Sequence, residues 1–492
     1  MATPKVNREV DVVVIGAGTA GLNAVAEVRK SGRSWVLVES GPYGTTCARV
    51  GCMPSKLLVA AADRAHQVAT AGVFGISTGP MSVDPRVLFG RVRAERDRFV
   101  AGAARSTTKL PDDQRLQGRA RLTGPTTVLV ERDGQDNIEL KTNAIVAAVG
   151  SRPNIPPPFR DIMERVWISD EVFELNELPE SLAVIGTGAI GLELGQALSR
   201  LGVKVSFFSL GSAIGPLSDP AMQQCVQQVF QDSKAEVAMA WHLEVDIKQA
   251  QISESNAIEL QWRDATGETH QQSFSNVLLA AGRTPQLAEL GLEKAGVILN
   301  ERGLPANWHS RTTRCGDTAV FVAGDASHYR PVLHEAADEG RVAGQNAAQY
   351  PQVSALVRRT PLAIVFSHPQ MATVGTRFTD LNEAEIEIGT VSYGNQGRAR
   401  VQNEHAGRVN LYAQRSSCIL VGAELFCPGA EHLAHLLAWA VQQQLRVDEL
   451  LSMPFYHPVL EEGLRTALRD LSKALQIEGN CRSVDFAESA GA

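Results

Sequence analysis

Short apolar runs, each followed by a glycine-rich turn and a stretch of helical period, organise the first three hundred residues. Residues 11–15 (Asp-Val-Val-Val-Ile) are brief and β-branched, which predicts a buried strand. They run into Gly16-Ala-Gly18-Thr-Ala-Gly21, then a helix-like stretch to Lys30, then a second apolar strand over Trp35–Glu39. The same order returns 170 residues later. Residues 182–185 lead into Gly186-Thr-Gly188-Ala-Ile-Gly191, a helix to Leu201 and a strand over residues 203–208. One Gly-x-Gly-x-x-Gly is weak evidence, because glycines recur in turns of every kind. Two copies, each between a strand and a helix, predict two mononucleotide-binding units of doubly wound sheets. In such units the glycines let backbone N–H groups approach a pyrophosphate at the positive end of a helix.

Further apolar strands over residues 144–149, 277–281 and 318–323 end on Gly150, Gly282 and Gly324-Asp325. Proline-rich joints follow the first two, over residues 151–158 and 282–285. From about residue 351 the pattern changes to alternating segments and an Ala/Leu-rich helix around residues 432–444, which marks a separate C-terminal domain. Residues 481–492 lack apolar periodicity and read as a loose tail. The expected fold is α/β. One dinucleotide-binding domain takes residues 1–152 with a return segment over 282–350, a second takes 153–281, and an α+β domain takes 351–480.

The residue ending each second strand bears on the ligand. Glu39 lies 23 residues after Gly16, placed to bond a ribose 2′-hydroxyl. The equivalent residue of the second unit is Ser209, and no Arg or Lys follows it before residue 230. That unit lacks both the acid expected for NAD and the basic clamp expected for a 2′-phosphate, so these residues leave the choice of NAD or NADP open.

Composition narrows the class. The 47 Lys+Arg against 54 Asp+Glu leave a net charge of −7 with no strong basic run, which argues against a nucleic-acid partner. No segment approaches the roughly 18–20 apolar residues that cross a bilayer, and residues 1–9 do not form a secretory signal. A cytoplasmic protein without a membrane partner is expected. In such a reducing compartment a cysteine pair is more often catalytic or metal-binding than structural.

That pair is Cys47 and Cys52, in Gly-Thr-Thr-Cys-Ala-Arg-Val-Gly-Cys-Met-Pro-Ser-Lys. In a regular helix their Cα atoms would stand about 8.6 Å apart, whereas a disulfide tolerates at most about 7 Å. A bridge therefore requires irregular backbone between them, and Gly51 supplies that freedom. Pro54 fits the first turn of a following helix and puts Cys52 near its N-terminus, which favours a thiolate. Zinc would need two more ligands, which the neighbouring sequence does not supply, and inert buried thiols sit in apolar runs, unlike this one. The pair reads as redox-active. Lys56, four residues beyond Cys52, shares its helical face and would favour the thiolate. The other five cysteines are isolated and read as inert. Near the C-terminus, His457 and Glu462 offer a base that cycles near neutral pH and a carboxylate to orient it. A purely structural His-Pro at a helix start is the alternative, and a cis His457–Pro458 bond is possible.

Taken together, these residues resemble the class I pyridine nucleotide–disulfide oxidoreductases, nearest their dihydrolipoamide dehydrogenase branch, over roughly residues 8–475. The Cys47…Cys52…Lys56 segment parallels the family's redox signature. Residues 320–325 with 333–340 look like its second flavin motif, and Arg398-Ala399 with His457…Glu462 look like its dimerisation domain. The resemblance implies FAD held by Gly16, Gly18, Gly21, Glu39, Gly150 and Asp325. It implies a nicotinamide cofactor at Gly186, Gly188, Gly191, Ser209 and Gly282, and a Lys56–Glu193 pair beside the flavin. Cys52 would face the flavin and Cys47 the substrate. His457, oriented by Glu462, would serve the other subunit's disulfide, so the active sites of a homodimer would be shared. The implied activity passes electrons from a dithiol, free dihydrolipoamide or a lipoyl domain, through the disulfide and FAD to NAD+. The alternative is an NAD(P)H-dependent reductase of another disulfide, a quinone or a metal electrophile. Ser209 departs from the acidic residue of NAD-linked members, and Gln370 departs from a common acid.

Overall fold

The computed structural model describes residues 5–231 and 239–477, so the proposed tail over 481–492 lies outside the described residues. The first apolar run forms the strand Lys5–Ile15, followed by α1 (Thr19–Lys30) and the strand Trp35–Glu39. The first strand starts six residues earlier than its apolar stretch. Its polar beginning pairs in parallel with Asn137–Ala147, register Lys5 with Asn137, because backbone hydrogen bonding extends past the buried zone. Val12, Val13 and Val14 are wholly buried, as expected of a parallel strand covered on both faces.

The chain then folds into α2 (Thr46–Val50), α3 (Cys52–Thr70) and α4 (Pro85–Thr108). Seven strands complete the first sheet. Its parallel part runs Arg115–Gln117, Trp35–Glu39, Lys5–Ile15, Asn137–Ala147, and Val320–Val322 pairs on the far side. Residues 320–322 thus return to this sheet from beyond the second one.

A second, five-stranded parallel sheet has Ser181–Ile185 and Lys204–Phe208 at its centre with α5 (Ala189–Arg200) between them in sequence. α6 (Pro220–Gln231) follows, and a three-stranded antiparallel meander over residues 246–274 packs alongside. Both proline-rich joints meet: Ser151–Pro153 and Arg283–Pro285 form a two-stranded antiparallel ribbon between the two sheets.

α7 (Leu333–Gln349) covers α1, with Gly340 and Gly344 lying against the backbone of Ala20 and Ala24, so the two helices approach closely. Beyond residue 361 an antiparallel sheet of five strands runs in the order Leu362–Val365, Gln370–Gly375, Leu420–Cys427, Arg408–Gln414, Ile386–Ser392. α8 (Gly397–Gln402), α9 (Ala430–Gln442), α10 (Val447–Leu451) and α11 (Glu462–Ala474) complete this domain. α9 buries Leu433, Ala434 and Leu437 at helical spacing but leaves Leu436 and Trp439 exposed, Trp439 at 64%. Among the described residues no helix is long and apolar enough to cross a membrane.

Candidate active site

A cavity of about 400 Å³ opens at the C-terminal end of the first sheet, lined by Gly16, Gly18, Glu39, Gly150 and the guanidinium-bearing Arg49, Arg119 and Arg152. The three turn glycines have different roles. Gly16 has φ +104°, and a Cβ there would collide with the Ala148 carbonyl; a Cβ on Gly21 would collide with the Gly16 carbonyl. Those two serve helix–strand packing. A Cβ on Gly18 would meet nothing within 4 Å, so the space above it is open to a ligand. Gly18 caps α1 without any side-chain hydrogen bond, leaving the first N–H groups of the helix for an anion. Glu39 is fixed in place, accepting from the Ala17 and Gly41 N–H groups at 2.7 Å each. Backbone donors, three arginines and a carboxylate around one open cradle fit the adenosine and pyrophosphate of a dinucleotide.

This division predicts opposite outcomes for two substitutions. Gly18→Val leaves the apo-protein's melting temperature unchanged but abolishes retention of the flavin. Gly21→Ala costs about 1–3 kcal/mol or more of stability by overpacking. Melting curves and the 450 nm absorbance of the purified variants check both; equal behaviour of the two would contradict it.

The second unit repeats the arrangement. A Cβ on Gly186 would collide with the Ala280 carbonyl and one on Gly191 with the Gly186 carbonyl, whereas Gly188 is open. Ser209 follows the strand Lys204–Phe208, donates its N–H to the His242 carbonyl at 3.0 Å and accepts from the Gly211 N–H at 3.2 Å. Gly282 has φ +89° and its carbonyl accepts from Asn154 at the ribbon.

Between the two units lies the thiol pair. The helix breaks at Gly51 (φ −120°, ψ −118°), as the disulfide argument required, and Cys52 is the first residue of α3. Thr45, just before α2, holds φ +57° and accepts from the Ala48 N–H, a strained conformation for a β-branched residue beside a reactive group. The two thiols are unbridged and in hydrogen-bonding contact, and their acidities split. Cys47 donates to Cys52, which lowers Cys52 to about 6 with help from the Lys56 charge, against burial. The same hydrogen bond, with burial, pushes Cys47 well above the ordinary thiol range. Lys56 lies 2.6 Å from Glu193 and 4.7 Å over the Phe366 ring. Glu193 is buried and also accepts from the Phe366 N–H at 2.9 Å.

Asp325 follows the strand Val320–Val322 and accepts from Ser151 at 2.8 Å, while Arg283 donates to the same hydroxyl at 2.9 Å. The ribbon that joins the sheets therefore also fixes this carboxylate. His457 precedes a cis proline, and its Nδ1 lies 2.9 Å from Glu462, the first residue of α11. Glu462 accepts from the Val459 N–H with its other oxygen, so its orientation is set twice. The imidazole is 65% exposed, and neither thiol is among its hydrogen-bond or ion-pair partners among the described residues. The structure thus joins Cys47, Cys52, Lys56 and Glu193 in one place and keeps His457 and Glu462 apart from them.

Residues 10–340 match the pyridine nucleotide-disulphide oxidoreductase family, and residues 362–468 match that family's dimerisation domain. The chain belongs to this family. It is a class I flavoprotein disulfide oxidoreductase near lipoamide dehydrogenase, an enzyme that uses FAD and NAD(P)H and carries a dimerisation domain. Dihydrolipoyl dehydrogenase from Haloferax volcanii is 29% identical over 464 residues, covering 93% of this chain and 95% of the relative. Dihydrolipoyl dehydrogenase 3 from Pseudomonas aeruginosa is 29% identical over 95% of this chain and 99% of its own. Among solved structures, a Cu(II) complex of the HOCl-induced flavoprotein disulfide reductase RclA from Escherichia coli superposes with a TM-score of 0.79 at 22% identity, over 95% of this chain and 99% of that one. LpdA from Mycobacterium tuberculosis superposes at 0.78 with 23% identity, over 93% and 99%. At those identities the structural likeness speaks for the fold.

In this oxidoreductase several residues near the site went unread in the sequence. Arg119 and Arg152 line the first cavity from separate strands, and the Phe366 N–H reaches Glu193 from the C-terminal domain. None carries a local motif. Gln370, which departs from the usual acid, donates to Glu431 and accepts from the Glu431 N–H at the start of α9. A second carboxylate there would face the first. Of the isolated cysteines, burial raises Cys225 and Cys427 and pushes Cys315 up to about 12. Cys481 lies outside the described residues.

Proposed function

We propose that this enzyme oxidises a dithiol of the dihydrolipoamide class with NAD+, through a disulfide between Cys47 and Cys52. The observation that carries the reading is the placement of two free thiols across a broken helix, Cys52 as the first residue of α3 on the turn that carries Lys56, and Cys47 on α2 just before the break at Gly51. An exchange pair needs one sulfur that leaves as a stable thiolate and one that takes up a proton. A substrate thiolate attacks Cys47 of the oxidised pair, and Cys52 departs as the thiolate, held by Lys56 and the N-terminus of α3. His457 of the partner subunit removes the proton of the substrate thiol. The second substrate thiol then attacks the mixed disulfide, the oxidised product leaves, and Cys47 takes up a proton. FAD, which the cradle at Gly18 and Glu39 would hold, would supply a two-electron acceptor for the reduced thiol pair and a donor to the nicotinamide. Per turnover one dithiol and one NAD+ give one disulfide, one NADH and one proton.

In this assignment Cys52 faces the flavin and Cys47 the substrate, and each site of a homodimer is completed by the other chain's His457 and Glu462. Exposure of that imidazole, of Trp439 and of Tyr456 in the single chain supports the shared site. The turn at residues 209–212 carries neither an acid for a free ribose nor a cation for a 2′-phosphate, so NAD is proposed on the likeness to the dihydrolipoyl dehydrogenases.

The test is the pH dependence of the long-wavelength thiolate-to-flavin absorbance in the two-electron-reduced enzyme. A thiolate is lost below its pKa, and the Cys52 pKa is lowered from the ordinary thiol value, so the band survives a fall of pH through the ordinary thiol range and fades only below it. Lys56→Met removes a charge that favours the thiolate, so the midpoint moves to higher pH. A midpoint that stays put or moves down contradicts the reading.

A further inference from the structure

We infer that Glu424, in the dimerisation domain, is a positioning residue for the nicotinamide nucleotide. The chain between residues 209 and 219 leaves the strand of the second unit at Ser209, where the adenosine ribose of such a cofactor binds, and ends at α6. Its near side is tied to the glycine turn itself. Thr187, between Gly186 and Gly188, donates its hydroxyl to the Ala213 carbonyl at 2.8 Å and accepts from the Gly215 N–H at 2.8 Å. Gln223 braces the middle, accepting from the Ile214 N–H and donating to the Ile214 and Leu217 carbonyls.

The far side is held by the other domain. Glu424, on the strand Leu420–Cys427 and 1% exposed, accepts from the Ser218 N–H, the Ser218 hydroxyl at 2.6 Å and the Asp219 N–H at 3.0 Å. Asp219, 3% exposed, reaches back and accepts from Asn410 at 2.6 Å and Tyr412 at 3.0 Å, both on the neighbouring strand Arg408–Gln414. Each domain thus contributes one buried carboxylate that accepts from donors of the other domain, and Asp219 also accepts from the Ala221 N–H at 2.8 Å in its own. Burial, with the nearby Glu424 and Asp219 charges, keeps the Tyr412 phenol protonated and donating. Buried carboxylates satisfied by neutral donors are rigid as long as every donor is in place, and costly once one is missing. The loop bordering the cofactor turn therefore takes its shape from the dimerisation domain.

The probe is ADP-ribose, with its 2′-phosphate in a parallel titration, bound to the FAD-loaded enzyme and followed by calorimetry. Neither compound is reduced, so binding is read apart from thiol chemistry. Glu424→Gln raises the Kd of the tighter of the two about tenfold, equal to about 1.4 kcal/mol. In steady state the KM for the nicotinamide cofactor rises in step, while FAD content and the KM for the dithiol stay as in the parent. An unchanged Kd, with or without a lower melting temperature, overturns the inference and leaves a lock that serves stability alone. Should Glu424→Gln fail to fold, Tyr412→Phe removes a single donor to Asp219 and raises the same Kd by about threefold. An unchanged Kd in that variant overturns it equally.

Discussion

Serine in place of Cys52 lowers kcat/KM for dithiol oxidation by on the order of 10³-fold or more, while FAD content and melting temperature hold. The size follows from what the sulfur does at the start of α3. Its acidity is raised above that of an ordinary thiol, it accepts the Cys47 hydrogen bond, and in the proposed exchange it is the leaving group. A serine hydroxyl does none of these near neutral pH. Cys47→Ser gives a comparable loss of turnover by a different route, because it removes the sulfur that the substrate attacks. The two variants separate in the spectrum. In Cys47→Ser the long-wavelength band persists without reduction, since an unpaired Cys52 thiolate remains beside the flavin. In Cys52→Ser it is absent. A band that survives Cys52→Ser reverses the assignment of the two thiols.

The second large effect belongs to His457→Gln. Dithiol turnover falls about 10²–10⁴-fold, the range for removal of a positioned general base. Reduction of an artificial one-electron acceptor by NADH, which needs no proton removed from a thiol, changes by less than about twofold. Glutamine keeps a hydrogen-bonding group near Glu462, so the local turn at Pro458 is preserved and the loss reports the base. Glu462→Gln acts more weakly, by about tenfold, because it loosens the orientation of an imidazole that is still present. Equal losses in both assays for His457→Gln would remove the base assignment and leave His457 a structural residue of the α11 start.

Much of this architecture was legible because its signals are local. Two glycine turns at matching strand–helix junctions specified two nucleotide units, and the steric roles of Gly16, Gly18 and Gly21 repeat at Gly186, Gly188 and Gly191. The break between Cys47 and Cys52 was legible too, since five residues of unbroken helix would hold the sulfurs too far apart and Gly51 stood between them. The unread parts are long-range. Glu193 was named only through its resemblance to a known pattern, and its second partner, the Phe366 N–H, arrives from 173 residues away. Backbone donors carry no residue signature, so no motif announces them. The same holds for the Glu424–Asp219 exchange between domains, where 205 residues separate donor and acceptor. Polar residues 5–9 joined a strand for a related reason: the ladder to residues 137–141 is made by backbone groups, which the apolar pattern does not record.

The central claim is that a dithiol feeds electrons through this pair to NAD+. Its most direct test is a set of steady-state kcat/KM values on one enzyme preparation. Dihydrolipoamide with NAD+ is compared with NADH- and NADPH-dependent reduction of glutathione disulfide and of a quinone. The account predicts that dihydrolipoamide with NAD+ exceeds every other pair by at least about a hundredfold. A glutathione disulfide or quinone rate equal to or above it contradicts the account.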